Sequence, residues 1–251
     1  MEKINLSRLK NCMARAQRGE ELTIGFLGGS ITQGSLATEH ENTYAYRVFT
    51  WWKETFPNGK FHYVNGGIGG TTSHYGVSRA VTDVLMYQPD FVVVDFSVND
   101  EPDEFFQETY EGVIRKLLQW KSEPAVVILN NVFYDTGKTA QDFHNAVGNW
   151  YQVPHVSIKD TLYQEMQQGK YTREELTPDG LHPNDKGHKL VAEKIIAFLE
   201  EVRSHVAEPE DELTFPEPMT QNAYENARRL TIREISPELA GFRADTEEKT
   251  G

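Results

Sequence analysis

The chain has 251 residues, 38% hydrophobic and 11% aromatic, which is enough for one substantial core and lies outside the disordered and fibrous ranges. A formal net charge of -13 argues against a nucleic-acid partner, since phosphate binding draws on clustered Lys and Arg. The single cysteine, Cys12, excludes an internal disulfide, and no apolar run is long enough to span a membrane.

The first segment, MEKINLSRLKNCMARAQRGEE, sets Leu6, Leu9, Met13 and Ala16 at helical spacing and lacks the continuous apolar stretch of a secretory signal. It predicts an amphipathic helix opening a soluble, cytoplasmic protein. Four apolar runs then read as strands: LTIGFLG from Leu22, FHYVN from Phe61, FVVVDFS from Phe91 and AVVILNN from Ala125. A short fifth, HVSI, begins at His155. Their hydrophobicity is continuous rather than alternating, which predicts strands covered on both faces, as in a parallel sheet. Helical stretches fall between and after them: Tyr44 to Phe56, Val77 to Tyr87, Phe105 to Trp120, Ala140 to Tyr151, and Asp185 to about Val206. The alternation predicts a doubly wound, three-layer α/β/α sandwich over residues 1–206. From Ala207 the chain turns rich in Pro and Glu, so residues 207–251 read as a C-terminal extension wrapping the domain.

In such sheets ligands bind outside the carboxyl ends of the strands. Four polar clusters are expected on that rim: Gly28-Gly29-Ser30, Gly69-Gly70, Ser97-Val98-Asn99-Asp100, and Asp179 to His182. Gly28-Gly29 is followed neither by G-x-G-x-x-G spacing nor by a Gly-Lys-Ser/Thr triplet, so a nucleotide loop is disfavoured and Ser30 becomes a candidate nucleophile. A serine hydroxyl needs a base held by a carboxylate. TPDGLHPNDKGH offers Asp179 and His182, three residues apart, before a helix capped by Asn184 or Asp185. His188, inside that helix, reads as a solvated or capping residue. A metal site would need further ligands, and neither H-E-x-x-H nor a Cys pair is present, so no metal or other cofactor is expected. Ser30 NH, Gly70 NH and the Asn99 side chain are candidate oxyanion donors. Taken singly, Gly70 is equally a turn glycine and Asn99 a strand-end cap. Each follows a successive strand, which argues for one site.

These blocks, in this order, resemble the SGNH hydrolases, also called GDSL-like lipases and esterases. GGSIT looks like the first block, with Gly29 in place of the aspartate of Gly-Asp-Ser. NGGIGGTTS resembles the second, SVND the third, with Ser97 where the family often has glycine, and DGLHP the fifth. The resemblance implies a flavodoxin-like fold of five parallel strands, with Ser30, His182 and Asp179 as the triad. It maps the oxyanion hole to Ser30, Gly70 and Asn99.

The long stretch from Gly28 to Asp100 resembles a subgroup that removes acetyl groups from plant glycans. The expected substrate is therefore a small-molecule or oligosaccharide acetyl ester. Rim residues Thr71, Thr72, His74, Tyr75 and Tyr134 suit hydroxyl-bearing rings, although each is also consistent with ordinary loop surface. The subgroup further implies that the extension begins a β-rich accessory module. Other readings of the same residues are a lipase, lysophospholipase or thioesterase, acyl transfer to an alcohol, and a glycan-binding protein on a decayed hydrolase fold.

Overall fold

The computed structural model describes residues 4–208, 211–235, 238, 240 and 241; the others, including 242–251 of the expected extension, lie outside the described residues. Helix α1 (Ser7–Gln17) precedes β1 (Glu21–Gly28), the single turn α2 (Ser30–Gln33), α3 (Tyr44–Thr55) and β2 (Lys60–Gly67). Then follow α4 (Ser73–Asp83), β3 (Phe91–Asp95), α5 (Glu104–Leu118), β4 (Ala125–Asn130), α6 (Gln141–Trp150) and β5 (His155–Ser157). Short α7 (Gln164–Gln167) and α8 (Arg173–Leu176) lead to the long α9 (Asp185–Ser204), and α10 (Ile232–Ile235) lies in the extension.

The strands form one sheet in the order β2-β1-β3-β4-β5, with every pairing parallel. This is the three-layer α/β/α fold that the alternation predicts. Alternate strand residues serve the two faces. Phe91, Val93, Val127 and Leu129 join α1, α3 and α9 in one core, while Val92, Val94, Val126 and Ile128 join α4, α5 and α6 in the other. The central strands β3 and β4 are buried throughout, as their continuous apolar runs require. β2 departs from that expectation: it is one edge of the sheet and is mostly half-exposed.

Helix α4 begins four residues earlier than its apolar pattern suggests. The NH of Ser73 is received by Oδ1 of Asp100 at 2.8 Å, so a carboxylate from the loop after β3 caps the helix. Thr72 takes the N-cap position, but its side chain makes no capping bond.

The extension lies across α4, α5 and α6. Glu111 of α5, fully buried, accepts the Met219 NH at 2.5 Å and the Thr220 NH at 2.8 Å, along with the hydroxyls of Thr220 and Tyr151. Arg115 meets Glu225 at 2.9 Å, Lys116 reaches the Ala227 carbonyl at 2.5 Å, and the Arg229 NH reaches the Ser78 carbonyl at 2.9 Å. Buried donors and acceptors of α4 and α5 are thus satisfied by groups of residues 219–229.

Candidate active site

All five strands point the same way, so the loops after β1, β2 and β3 share one rim. β1 has β2 on one side and β3 on the other, which makes the β1/β3 junction the topological switch point where ligands bind in open α/β sheets.

Ser30 is the first residue of α2, directly beyond β1, and is 8% exposed. Its Oγ lies 2.8 Å from Nε2 of His182, and Nδ1 of that ring lies 2.7 Å from Oδ2 of Asp179. Partial burial by itself would raise the Asp179 carboxyl. Hydrogen bonds from the His182 ring, the NH groups of Leu181 and His182 and the Thr177 hydroxyl outweigh it and hold the group well below the usual carboxylate range. An ionised carboxylate only accepts, so Nδ1 carries the proton and Nε2 presents its lone pair to the serine. Asp179 Oδ1 also takes the Leu181 NH at 3.0 Å and the His182 NH at 2.8 Å, which fixes the loop. Asn184 then caps α9 by accepting the Gly187 NH at 3.0 Å, while Asp185 accepts the NH and hydroxyl of Thr38 at 2.8 and 2.6 Å.

The other two rim loops flank this serine. A Cβ added to Gly29 would stand 2.2 Å from Oδ1 of Asn99, and one added to Gly69 would stand 3.7 Å from the Ser30 Cβ. Gly70 has φ 70, a left-handed backbone that disfavours any side chain, and the space around it is open. Gln33 accepts the Gly69 NH at 2.8 Å. Among the described residues, the NH groups of Ser30 and Gly70 and the side-chain amide of Asn99 have no hydrogen-bond partner. Asn99 itself is held through its neighbours: its NH and that of Asp100 both donate to the Phe96 carbonyl at 2.9 Å. Asp100 Oδ2 meets Nε2 of the buried His144 at 3.0 Å, and the His144 ring stacks on Tyr110 with centroids 3.6 Å apart. Ser97 is buried, with its hydroxyl donating to the Asn131 carbonyl at 3.1 Å.

The expected rim residues divide. His74 and Tyr75 are exposed. Tyr134 is 2% exposed and belongs to the core, so it cannot meet a substrate. The Thr71 hydroxyl turns inward, donating to the Ile68 carbonyl at 2.7 Å and accepting from Arg79 at 3.0 Å. His188 is neither solvated nor a cap. It is buried against Tyr44, accepts the Tyr44 NH at Nδ1 and donates from Nε2 to the Ser35 carbonyl, and burial pushes its pKa down to about 4. No group of three or more His, Cys, Asp or Glu side chains is arranged to hold a metal among the described residues. Also among the described residues, no helix is long and apolar enough to cross a membrane.

Residues 26–190 match the model of the GDSL-like Lipase/Acylhydrolase family. The chain belongs to this family. A solved two-domain esterase active on acetylated mannans, co-crystallised with mannopentaose, is 48% identical with a TM-score of 0.93; the alignment covers 100% of this chain and 67% of that one. An acetyl-xylooligosaccharide esterase from Geobacillus is 17% identical with a TM-score of 0.61, covering 71% of this chain and 94% of that one, a likeness in fold alone. No curated protein matches the sequence.

In this GDSL-like hydrolase the aspartate of Gly-Asp-Ser is replaced by Gly29, and the Asn99 amide stands where a side chain would begin. Sequence reasoning missed Arg79, Gln33 and His144. For Arg79 no local signal was available, since it stands to one side of the stripe that carries Gly76, Val77 and Ala80.

Proposed function

We propose that this protein is a serine esterase that removes acetyl groups from carbohydrates. The observation that carries the chemistry is the relay Ser30 Oγ, His182 Nε2, His182 Nδ1 and Asp179 Oδ2, with separations of 2.8 and 2.7 Å, beside three unpaired donors. Ser30 attacks the ester carbonyl while His182 takes its proton. The oxyanion is received by Ser30 NH, Gly70 NH and the Asn99 amide. His182 then protonates the departing sugar alkoxide, leaving an acetyl-serine. Water, deprotonated by the same imidazole, attacks this ester, and His182 returns the proton to Ser30 Oγ as acetate leaves. Asp179 holds the ring in the required tautomer and stabilises the imidazolium. No step calls for a cofactor.

In this reading residues 1–206 are the hydrolase domain, and the segment from 207 onward is an extension fastened to it through Glu111 and Arg115. The acetylated-mannan esterase at 48% identity supports an acetylated oligosaccharide as substrate. The test compares kcat/KM for p-nitrophenyl acetate, butyrate and octanoate and then measures acetate released from acetylated mannan and xylan oligosaccharides. Acetate is expected to be the best acyl group, with mannan-derived acetate released. Faster octanoate hydrolysis with no acetate from either glycan would overturn the carbohydrate assignment.

A further inference from the structure

The nucleophile turn and the Gly70 loop are joined from below by a side chain that the proposed chemistry does not touch. Arg79 of α4 is fully buried. Its Nη2 donates to the Gly28 carbonyl at 2.8 Å and to the Thr71 hydroxyl at 3.0 Å. Its Nη1 donates to the Gly66 carbonyl at 2.5 Å and to Asp83 at 2.9 Å. The Thr71 hydroxyl passes the connection on to the Ile68 carbonyl at 2.7 Å, and the Ile68 NH returns to the Gly28 carbonyl at 3.0 Å. One guanidinium therefore spans the residue before Gly29-Ser30 and the loop that carries Gly70.

Burying a cation is costly, and here a single carboxylate, Asp83, offsets it. The remaining hydrogen bonds go to oxygens at the ends of β1 and β2 and in the loop between β2 and α4, while the Tyr75 and Phe96 rings flank the guanidinium at 5.8 and 5.9 Å. The planar fork of an arginine reaches these divergent acceptors at once, which a lysine ammonium on its flexible stem does not.

We propose that Arg79 is a positioning residue for ester cleavage, acting through Thr71 and Gly28 to fix the distance between the Ser30 hydroxyl and the Gly70 NH. The proposal rests on the serine esterase reading. An oxyanion donor held slightly out of place loses most in the transition state, so the defect falls on kcat rather than KM.

The experiment measures kcat, KM and the unfolding midpoint for four single variants and one double variant with p-nitrophenyl acetate, counting active sites with a fluorophosphonate, and uses Ser30→Ala as the control. Thr71→Val removes the far end of the link without emptying the core, and is expected to lower kcat on the order of tenfold with KM changed by less than about twofold. Thr71→Ser, which keeps the hydroxyl, recovers most of that rate. Arg79→Lys lowers kcat, and combining it with Thr71→Val adds little. Asp83→Asn leaves the fork's three site-side bonds in place and lowers the unfolding midpoint while kcat per active site stays near wild type. A purely structural Arg79 gives the opposite pattern, with midpoints falling and kcat per active site unchanged in Thr71→Val and Arg79→Lys. That pattern, or equal losses in Thr71→Val and Thr71→Ser, overturns the proposal. If instead Ser30→Ala keeps its turnover, the esterase reading fails first.

Discussion

The Cα of Gly29 and the side-chain amide of Asn99 are in direct contact: a methyl at Gly29 would lie 2.2 Å from Asn99 Oδ1. The turn that presents Ser30 and the loop that ends β3 are thus fitted to one another, and the fit requires a residue without a Cβ. Gly29→Ala is expected to push the Asn99 amide away from the serine. It and Asn99→Ala should each lower kcat, the latter by about 10² to 10³-fold, with smaller changes in KM. In the double variant the losses should not add, since both act on one donor. Steady-state kinetics on p-nitrophenyl acetate checks this, and fully additive losses would separate the two residues.

Asp179 is held ionised by its hydrogen bonds despite partial burial, with its pKa well below the ordinary range. Its protonation therefore does not limit activity in mild acid. Asp179→Asn should depress kcat at every pH because the Nδ1 proton loses its acceptor. A pH–rate profile of both forms checks this. Recovery of wild-type rate by Asp179→Asn at high pH would assign the orientation of His182 to another group.

The order of the candidate site residues was readable in the sequence because they stand in polar loops, at the ends of apolar runs for Ser30, Gly70 and Asn99 and before a helix for Asp179 and His182. Ser30 closes LTIGFLGG, Asn99 closes FVVVDFS, and Asp179 and His182 immediately precede α9. What was not readable depends on partners far away in sequence. The capping bond at the start of α4 comes from Asp100, 27 positions later, and the Asp100–His144 pair joins residues 44 positions apart. Arg79 looks like a surface residue of a helix until Gly28, Gly66 and Thr71 are placed around it. Tyr134 follows an apolar strand in a loop of mixed character, and only its burial distinguishes it from the rim. The segment from 207 onward reads as polar because its anchors are main-chain groups and a few scattered side chains, such as Met219, Tyr224 and Glu225, which composition does not reveal.

His188 gives the fold a defined acid sensitivity. Burial lowers its folded-state pKa to about 4, against about 6.5 for an ordinary histidine. Between these values the unfolded chain binds the proton and the folded one does not, so stability is fully present above pH ~6.5 and is lost as pH falls through about 4. The loss attributable to this residue is on the order of 3 kcal/mol at full protonation. Urea unfolding of wild type and His188→Gln at pH 7 and pH 4.5 checks it: the variant starts less stable and loses less on acidification. Parallel losses in the two proteins would place the acid sensitivity elsewhere.

Glu111→Ala should release the extension. The substitution strands the NH groups of Met219 and Thr220 and the hydroxyl of Tyr151, at a cost of about 3 kcal/mol. Limited proteolysis should then cut within 211–235, with the domain itself left intact. An unchanged digestion pattern would mean that the Arg115–Glu225 and Lys116–Ala227 contacts hold the segment without Glu111.

The claim on which the rest depends is that Ser30 is the nucleophile. Its most direct test is inactivation by a fluorophosphonate, followed by mass mapping of the modified peptide. One covalent adduct per chain is expected, on Ser30, formed in step with loss of esterase activity and absent from Ser30→Ala. Inactivation with the adduct on another residue, or full activity retained with Ser30 modified, would contradict it.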